Sequence, residues 1–139
     1  MKRAFGVFAA AAAAFAAITG LALEWSGVAV VTTRTAAGAP RATHVWFADI
    51  DGEIWLEAGA PENPWFQDAQ ANPRLQLALP GAPLLDVVAV PDASAEAKRR
   101  VREALHAKYG WRDAWVGLFV DAARSLPVRA AAVEPPRVP

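Results

Sequence analysis

The first hydrophobic segment of the chain is an uncharged, alanine-rich run over residues 4–23, which follows Lys2 and Arg3. At a rise of roughly 1.5 Å per residue, a helix of this length spans about 30 Å, the thickness of the hydrocarbon core of a bilayer. Because no Lys or Arg follows until Arg34, the positive charges favour a cytoplasmic N-terminus. The pattern predicts a single-pass helix in the inner or plasma membrane, with the rest of the chain on the periplasmic or external side.

A cleaved signal peptide is the alternative for this segment, since Gly20 and Ala22 offer small residues at a spacing suited to a signal peptidase. The apolar region of a signal peptide is usually shorter, at roughly 7 to 15 residues, which favours a retained anchor over residues 1–25. Small residues four positions apart, such as Gly6 and Ala10, would let a second transmembrane helix approach closely. The membrane and other transmembrane helices of a larger complex are therefore the expected partners.

Beyond residue 26, β-branched and alternating runs predict six strands, bounded by glycine, proline and Asp-Gly turn signals. The predicted strands cover residues 27–33, 41–49, 53–58, 75–79, 84–90 and 128–133. In the third strand, Ile54, Leu56 and Ala58 are expected to face the core. Trp55 and Glu57, which alternate with them, are expected to face solvent.

Two helices are predicted between the strands. Asn63, as an N-cap before Pro64, predicts a short helix that ends near Ala71. Asp92 is expected to cap a longer amphipathic helix, which Gly110 ends. Because its apolar side chains share one face, this helix is expected to cover the sheet.

These elements predict the fold class: mainly β with helices (α+β), a small barrel of six strands with one long capping helix, preceded by the N-terminal transmembrane helix. The barrel domain is expected over residues 26–134. The prolines that follow predict a disordered tail over residues 135–139.

Composition narrows the chemistry of this domain. Fourteen basic and fourteen acidic residues leave no net charge, which argues against a nucleic-acid partner. With no cysteine, and with His44 and His106 far apart in the sequence, no metal site is predicted. The sequence contains neither a glycine-rich phosphate loop nor a Gly-x-Ser-x-Gly elbow, so no catalytic residue is assigned.

Five short motifs follow one another in the predicted barrel. They are Thr32-Thr33, Ala37-Gly38-Ala39-Pro40-Arg41, Val45-Trp46-Phe47, Asn63-Pro64-Trp65-Phe66 and Ala71-Asn72-Pro73. In order and spacing, they resemble the deazaflavin-dependent nitroreductase family, and Tyr109 and Leu126-Pro127-Val128 extend the resemblance over residues 27 to 135. The resemblance implies a split β-barrel of the flavin-binding group, with FMN or a deazaflavin as cofactor.

The resemblance also implies which residues bind the cofactor. Those expected at its phosphate are Arg34, Thr35, Gly38 and Arg41, and those expected at its ring are Ala58, Gly59, Ala60 and Trp65. The lysine and serine that the family carries in the phosphate turn are replaced here by Ala36 and Ala37. Because charge-assisted hydrogen bonds to an anion are the strong ones, this replacement weakens the expected phosphate contact.

Two functions from different classes follow. The first is a membrane-anchored oxidoreductase that passes a hydride from a flavin or deazaflavin to a quinone or nitro compound. The second is a split barrel without a cofactor, serving as an accessory or structural subunit of a membrane complex, with aromatic residues such as Trp55 and Trp111 as its contact surface. Flavin split barrels often pair with the cofactor at the subunit interface, so a homodimer is a further expectation.

Overall fold

A computed structural model describes residues 9–19 and 27–133 of the chain. Residues 9–19 are helical and are called α1. The strands are β1 (Ala29–Arg34), β2 (Pro40–Val45), β3 (Phe47–Ile50), β4 (Glu53–Ala58), β5 (Arg74–Ala78), β6 (Leu85–Pro91) and β7 (Leu126–Ala132). The other helices are α2 (Pro64–Ala71), α3 (Ala95–Tyr109) and α4 (Trp111–Gly117), with a 3₁₀ turn at Ala122–Arg124.

The strands form one antiparallel sheet in the order β2-β1-β5-β6-β7-β4-β3. Its two edge strands, β2 and β3, are consecutive in the chain, and only Trp46 lies between them. One residue can connect the two edges only if the sheet curls until these edges approach each other. The backbone N–H of Glu57 donates to the carbonyl oxygen of Trp46 at 3.2 Å, which extends the β3–β4 ladder up to this crossing. The fold is therefore the split barrel that the sequence motifs implied.

The prediction of six strands is wrong, because the predicted strand over residues 41–49 is two strands. Val45, at the end of β2, pairs with Ala29 of β1. Phe47, two residues later, pairs with Leu56 of β4. The hydrophobic pattern continues without interruption through Trp46, since both halves of the segment pack against the same curled sheet.

The concave face of the sheet encloses the larger hydrophobic cluster. Leu56, Leu77 and Val128 are fully buried there, and Trp65 and Phe66 of α2 pack against them. Helix α2 begins at Pro64 and ends at Ala71, as the sequence predicted. It thereby closes one side of the barrel with two aromatic rings.

A second cluster lies on the opposite face of the sheet, where α3 covers it. Val101 and Leu105 of α3 pack together with Ala48 and Trp55. The expectation that Trp55 faces solvent is wrong, since its residue is only 6% exposed. The alternation in β4 predicts two faces of different character, but α3 buries the face that the sequence marks as polar.

The predicted long capping helix is confirmed, although its cap differs. The hydroxyl oxygen of Ser94 accepts a hydrogen bond from the Ala97 N–H at 3.2 Å, so Ser94 is the N-cap. Asp92 accepts from the Ser94 N–H at 2.9 Å and holds the approach to the helix, and its hydrogen bonds to Ser94 lower the pKa of the Asp92 carboxyl. Gly110, with a φ of 54°, ends the helix.

The predicted N-terminal transmembrane helix is wrong: across residues 9–19 and 27–133, no helix combines the length and the apolar character needed to cross a bilayer. The predicted membrane localisation, with a periplasmic domain, rested on that helix and is wrong with it. Alanine supplies much of the segment, and its high helix propensity comes with little hydrophobicity. In α1, Phe15 packs against Trp115 and Phe119, with ring centroids 5.6 and 5.2 Å away, and Thr19 accepts a hydrogen bond from Trp115 Nε1 at 3.1 Å.

Three predictions for the chain termini concern residues outside the described ranges. They are the signal-peptide cleavage region at residues 20–22, the rest of the predicted anchor over residues 1–8 and 20–25, and the proline-rich tail over residues 135–139.

Candidate active site

A cavity of about 640 Å³ lies between the edge strand β2, the start of α2 and the segment that contains α4. This volume is typical of a small-molecule site. Its wall is largely apolar and includes Val45, Trp46, Trp65, Val116 and Val120. The charged and polar side chains in the wall are those of Arg41, Thr43, His44, Glu57, Asn63, Arg102, Asp113 and Ser125.

Of the four residues predicted at a cofactor ring, Gly59 and Trp65 line this cavity. Ala58 is fully buried in the concave cluster, and Ala60 uses its carbonyl oxygen to accept the Asn63 N–H at 3.1 Å. A Cβ atom built on Gly59 would lie 3.9 Å from Asn63 Nδ2, an ordinary contact distance. The glycine therefore leaves space at the cavity wall without being required by the backbone.

The predicted phosphate ligands divide between two sides of the sheet. Arg41 lines the cavity. It pairs in register with Thr33, so strand alternation puts the neighbouring Arg34 on the opposite face. Arg34 lines a separate, more polar cavity of about 440 Å³.

Thr35 and Gly38 close the turn between β1 and β2. The Gly38 N–H donates to the Thr35 carbonyl oxygen at 2.8 Å, and the Ala39 N–H donates to the Thr35 hydroxyl oxygen at 3.2 Å. Arg34 Nη1 donates to the Gly38 carbonyl oxygen at 3.1 Å. Of the eight predicted binding residues, the structure thus brings Arg41, Gly59 and Trp65 to the larger cavity.

Asp68 of α2 orients the Arg41 side chain. Its Oδ2 atom accepts from Arg41 Nε at 2.8 Å and from the Thr33 hydroxyl at 2.9 Å. The hydrogen bond from Arg41 is the main cause that lowers the pKa of the Asp68 carboxyl, and Thr33 adds to it. Because this contact uses Nε, the two terminal nitrogens of Arg41 take no part in it.

A network of four ionisable side chains, which the sequence analysis did not identify, reaches the cavity wall. Arg102 Nη1 donates to both carboxylate oxygens of Glu57, at 3.0 and 2.7 Å, and Arg102 Nη2 donates to Asp113 Oδ1. His106 Nδ1 lies 3.0 Å from Asp113 Oδ2. Burial opposes the charge on Arg102, but Glu57 and Asp113 outweigh it and raise the pKa of the guanidinium.

The sequence contained one signal for this network. Arg102 and His106 are four residues apart on a helix and therefore share one face. The carboxylates could not be recognised in the same way. The side chains of Glu57 and Asp113 are only 9% and 8% exposed, and Arg102 of α3 contacts both.

Tyr109 supports the cavity wall from behind. Its ring stacks on Trp46 with centroids 4.4 Å apart. Its hydroxyl donates to the Gly27 carbonyl oxygen at 2.7 Å and accepts from the Phe47 N–H at 3.2 Å. Burial raises the pKa of the hydroxyl, so it remains a neutral hydrogen-bonding group at physiological pH.

Comparison with protein families matches residues 7–130 to the model described as F420H(2)-dependent quinone reductase. This match confirms the resemblance to the deazaflavin-dependent reductases that the motifs indicated. The matched range begins within the segment that was predicted to be a separate anchor. Comparison with curated proteins gave no match.

Three solved structures illustrate how widely the fold is shared. A conserved hypothetical protein from Mycobacterium tuberculosis is 24% identical, with a TM-score of 0.63 over 86% of this chain and 80% of that chain. The heme storage protein HutZ from Vibrio cholerae is 13% identical, with a TM-score of 0.60 over 82% and 87%. A structure named F420 reductase is 19% identical, with a TM-score of 0.52 over 83% and 93%. These three similarities establish a common fold.

Proposed function

The chain belongs to the F420H2-dependent quinone reductase family, and on that premise we propose that it binds a deazaflavin and reduces a quinone in the larger cavity. The observation that carries this proposal is the meeting of Arg41, Gly59 and Trp65 at a cavity of about 640 Å³. The family resemblance implied all three residues at the cofactor, Arg41 at its phosphate and Gly59 and Trp65 at its ring.

The donor set fits the chemistry of a deazaflavin. Trp46 and Trp65 supply aromatic surface for a flat ring, and Gly59 lets the ring approach the backbone. Arg41 supplies a planar cation, which matches the geometry of a phosphate. The first turn of α2, where Asn63 and Pro64 line the cavity, adds the partial positive charge of a helix N-terminus.

When bound, the reduced cofactor supplies a hydride. The chain's own residues then bind, orient and stabilise the substrate. Val116 and Val120 contribute apolar wall that excludes water. Arg102, whose orientation is fixed by its contacts with Glu57 and Asp113, contributes a polar group to the same wall.

The alternative, an accessory subunit without a cofactor, gains less support. It was expected to use Trp55 and Trp111 as a contact surface. Trp55 lies under α3, whereas Trp111 is 59% exposed. A homodimer and other protein partners stay predictions.

Arg41 and Arg34 provide a matched pair of variants to test the proposal. We expect Arg41→Ala to weaken binding of oxidised F420 by about tenfold to 150-fold, because a hydrogen bond to a charged group contributes about 1.5 to 3 kcal/mol. Arg34→Ala, which removes the same charge on the other face, is expected to change the affinity by less than about twofold. Titration of the full chain, followed by tryptophan fluorescence, measures both.

A turnover assay completes this test. Wild-type protein is expected to accelerate oxidation of the reduced deazaflavin by menadione, a soluble quinone. FMN serves as the competing cofactor in the binding titration. Absence of both F420 binding and turnover in the wild-type protein would falsify the reductase proposal. If Arg41→Ala and Arg34→Ala weakened F420 binding equally, the phosphate would instead be assigned to the β1–β2 turn.

A further inference from the structure

The charged network connects the cavity wall to solvent. Asp113 and Glu57 line the cavity and are almost fully buried, whereas the His106 side chain is 67% exposed. The 3.0 Å contact between His106 Nδ1 and Asp113 Oδ2 joins the two environments. One end of this pair therefore faces the cavity, and the other faces water.

Carboxylates outnumber permanent cations in the network. Glu57 and Asp113 carry two carboxylates, and Arg102, which contacts both, is a single cation. Buried charges are stable when they are balanced. His106 contacts the second carboxylate, and histidine is the side chain best suited to exchange protons near neutral pH.

We propose that His106 and Asp113 form a path that delivers a proton from water to the reduced substrate. This inference rests on the proposed quinone reductase function. Reduction of a quinone to a hydroquinone adds two electrons and two protons, and a hydride brings both electrons and one proton. The reduced deazaflavin loses a proton as well as a hydride on oxidation, so the cofactor is one source of the second proton and the protein is the other. In this proposal the proton that reaches the hydroquinone oxygen passes through Asp113, which lines the cavity and contacts His106.

In this step the N–H bond at His106 Nδ1 breaks as its proton moves to the Asp113 carboxylate. The proton then leaves Asp113 as a new O–H bond forms on the anionic hydroquinone oxygen, and His106 takes up one proton from water at its exposed ring. Asp113 touches the substrate and is the catalytic residue of the pair, whereas His106 acts through Asp113.

A purely structural network would also join β4, α3 and α4, so the experiment has to separate the two roles. His106→Ala removes an exposed side chain and leaves the contacts of Arg102 with Glu57 and Asp113 in place. We expect this variant to bind F420 as wild type does, but to reduce menadione about 100-fold more slowly in single turnover, the usual effect of a lost general acid. Added imidazole is expected to restore the rate.

Two further variants complete the kinetic test. Asp113→Ala is expected to slow the reaction at least as much as His106→Ala, without rescue by imidazole, because the contact at the cavity wall is lost. Arg99→Ala is the control, since Arg99 lies on the exposed side of α3 and pairs with Glu103. Arg99→Ala is expected to reduce menadione at the wild-type rate.

A measurement without cofactor tests the geometry independently. The chain has two histidines, so nitrogen-15 NMR resolves His106, and His44 provides an internal reference. We expect neutral His106 to carry its proton on Nδ1, facing Asp113, and to change to the Nε2–H tautomer in Asp113→Ala. An Nε2–H tautomer in wild type would mean that Nδ1 accepts rather than donates, and the path would be wrong.

The outcomes distinguish this inference from the function on which it rests. If wild type reduces menadione and His106→Ala does so at the same rate, the proton path is wrong and the reductase stands. A slow His106→Ala that melts at lower temperature and is not rescued by imidazole assigns the network a structural role. If wild type binds no deazaflavin, the proposed function is wrong and the proton path is wrong with it.

Discussion

Asp68 illustrates how one carboxylate oxygen organises the mouth of the cavity. It accepts hydrogen bonds from Arg41 and Thr33, which lie opposite each other on β2 and β1. Because the ionised form is the better acceptor, these contacts lower the pKa of Asp68. The arginine that we propose as the phosphate ligand is therefore aimed by a residue of α2.

This arrangement predicts a specific pH dependence for Asp68→Asn. A lowered pKa means that the unfolded state binds the proton more readily, so the carboxylate stabilises the fold above its ordinary pKa of 3.8 and loses this effect as the pH falls through the lower folded value. We expect wild type to melt at a higher temperature than Asp68→Asn at neutral pH. This difference in melting temperature is expected to disappear in strong acid. Thermal unfolding at several pH values measures it.

Asp51→Asn is the matched control for this prediction. The Asp51 side chain is 90% exposed, and asparagine tolerates the positive φ of 56° at this turn. Its melting temperature should differ little from that of wild type. If the difference in melting temperature between wild type and Asp68→Asn stayed constant from neutral to acidic pH, the hydrogen bonds of Asp68 with Arg41 and Thr33 would not be stabilising its ionised form.

Single residues were predicted with uneven success, for a reason that Glu57 and Gly59 illustrate. Gly59 follows β4 in a loop whose sequence matches the family motif, and the structure brings it to the cavity. Glu57 reads as an exposed strand residue, because alternation in β4 reports the character of each face but not what covers it. Its burial beside Arg102 depends on a helix that begins 38 residues later.

At the scale of elements, Tyr109 connects the end of α3 to the barrel. Its hydroxyl contacts the carbonyl oxygen of Gly27, before β1, and the N–H of Phe47, at the start of β3. The same ring supports Trp46 at the point where the chain crosses between the edges of the sheet. One side chain thus holds three elements in register.

Tyr109→Phe is expected to destabilise the fold by about 1 to 3 kcal/mol, because the two backbone groups lose a partner at a buried position. Urea unfolding, followed by far-UV circular dichroism, measures this difference. Trp111→Phe, an exposed aromatic change two residues away, should stay within about 0.5 kcal/mol of wild type. Equal stabilities of Tyr109→Phe and wild type would show that the hydroxyl contacts contribute nothing.

The elements themselves follow closely from local pattern. β4 has the predicted bounds, and α2 begins at the proline that was expected to start it. The division of residues 41–49 into β2 and β3 could not be read in this way, since a single residue makes the crossing and the hydrophobic pattern does not change there. Pairing with β1 on one side and β4 on the other is a property of the assembled sheet.

At the scale of the whole molecule, α1 packs against α4, which itself forms part of the cavity wall. Phe15 contacts Trp115 and Phe119, whereas Val116 and Val120 from the same segment line the cavity. The two sets alternate along one short stretch of chain. The aromatic contact therefore supports the segment that closes the proposed substrate site.

Phe15→Ala is expected to loosen this segment, because it removes the ring that Trp115 and Phe119 pack against. We expect faster amide hydrogen exchange in α4 and unchanged exchange in β5 and β6, as local unfolding follows local packing. Hydrogen-exchange mass spectrometry measures both regions in one experiment. Ala13→Ser, at an exposed position of α1, is the control, and equal exchange in α4 of Phe15→Ala and wild type would contradict the supporting role.

By itself, the sequence determined most of the local elements, because alternation and capping residues depend on neighbours along the chain. Its short motifs carried the resemblance to the deazaflavin-dependent reductases and their split barrel. The same resemblance named Arg41, Gly59 and Trp65, and their role at a cofactor stays a prediction. Tertiary structure alone decided that the two sheet edges meet at Trp46. It also decided that Arg34 and Arg41 face different cavities and that Glu57 and Asp113 share Arg102. These outcomes depend on how the sheet curls and on which helix covers each face. Both are set by contacts between residues far apart in sequence, which the local pattern does not report.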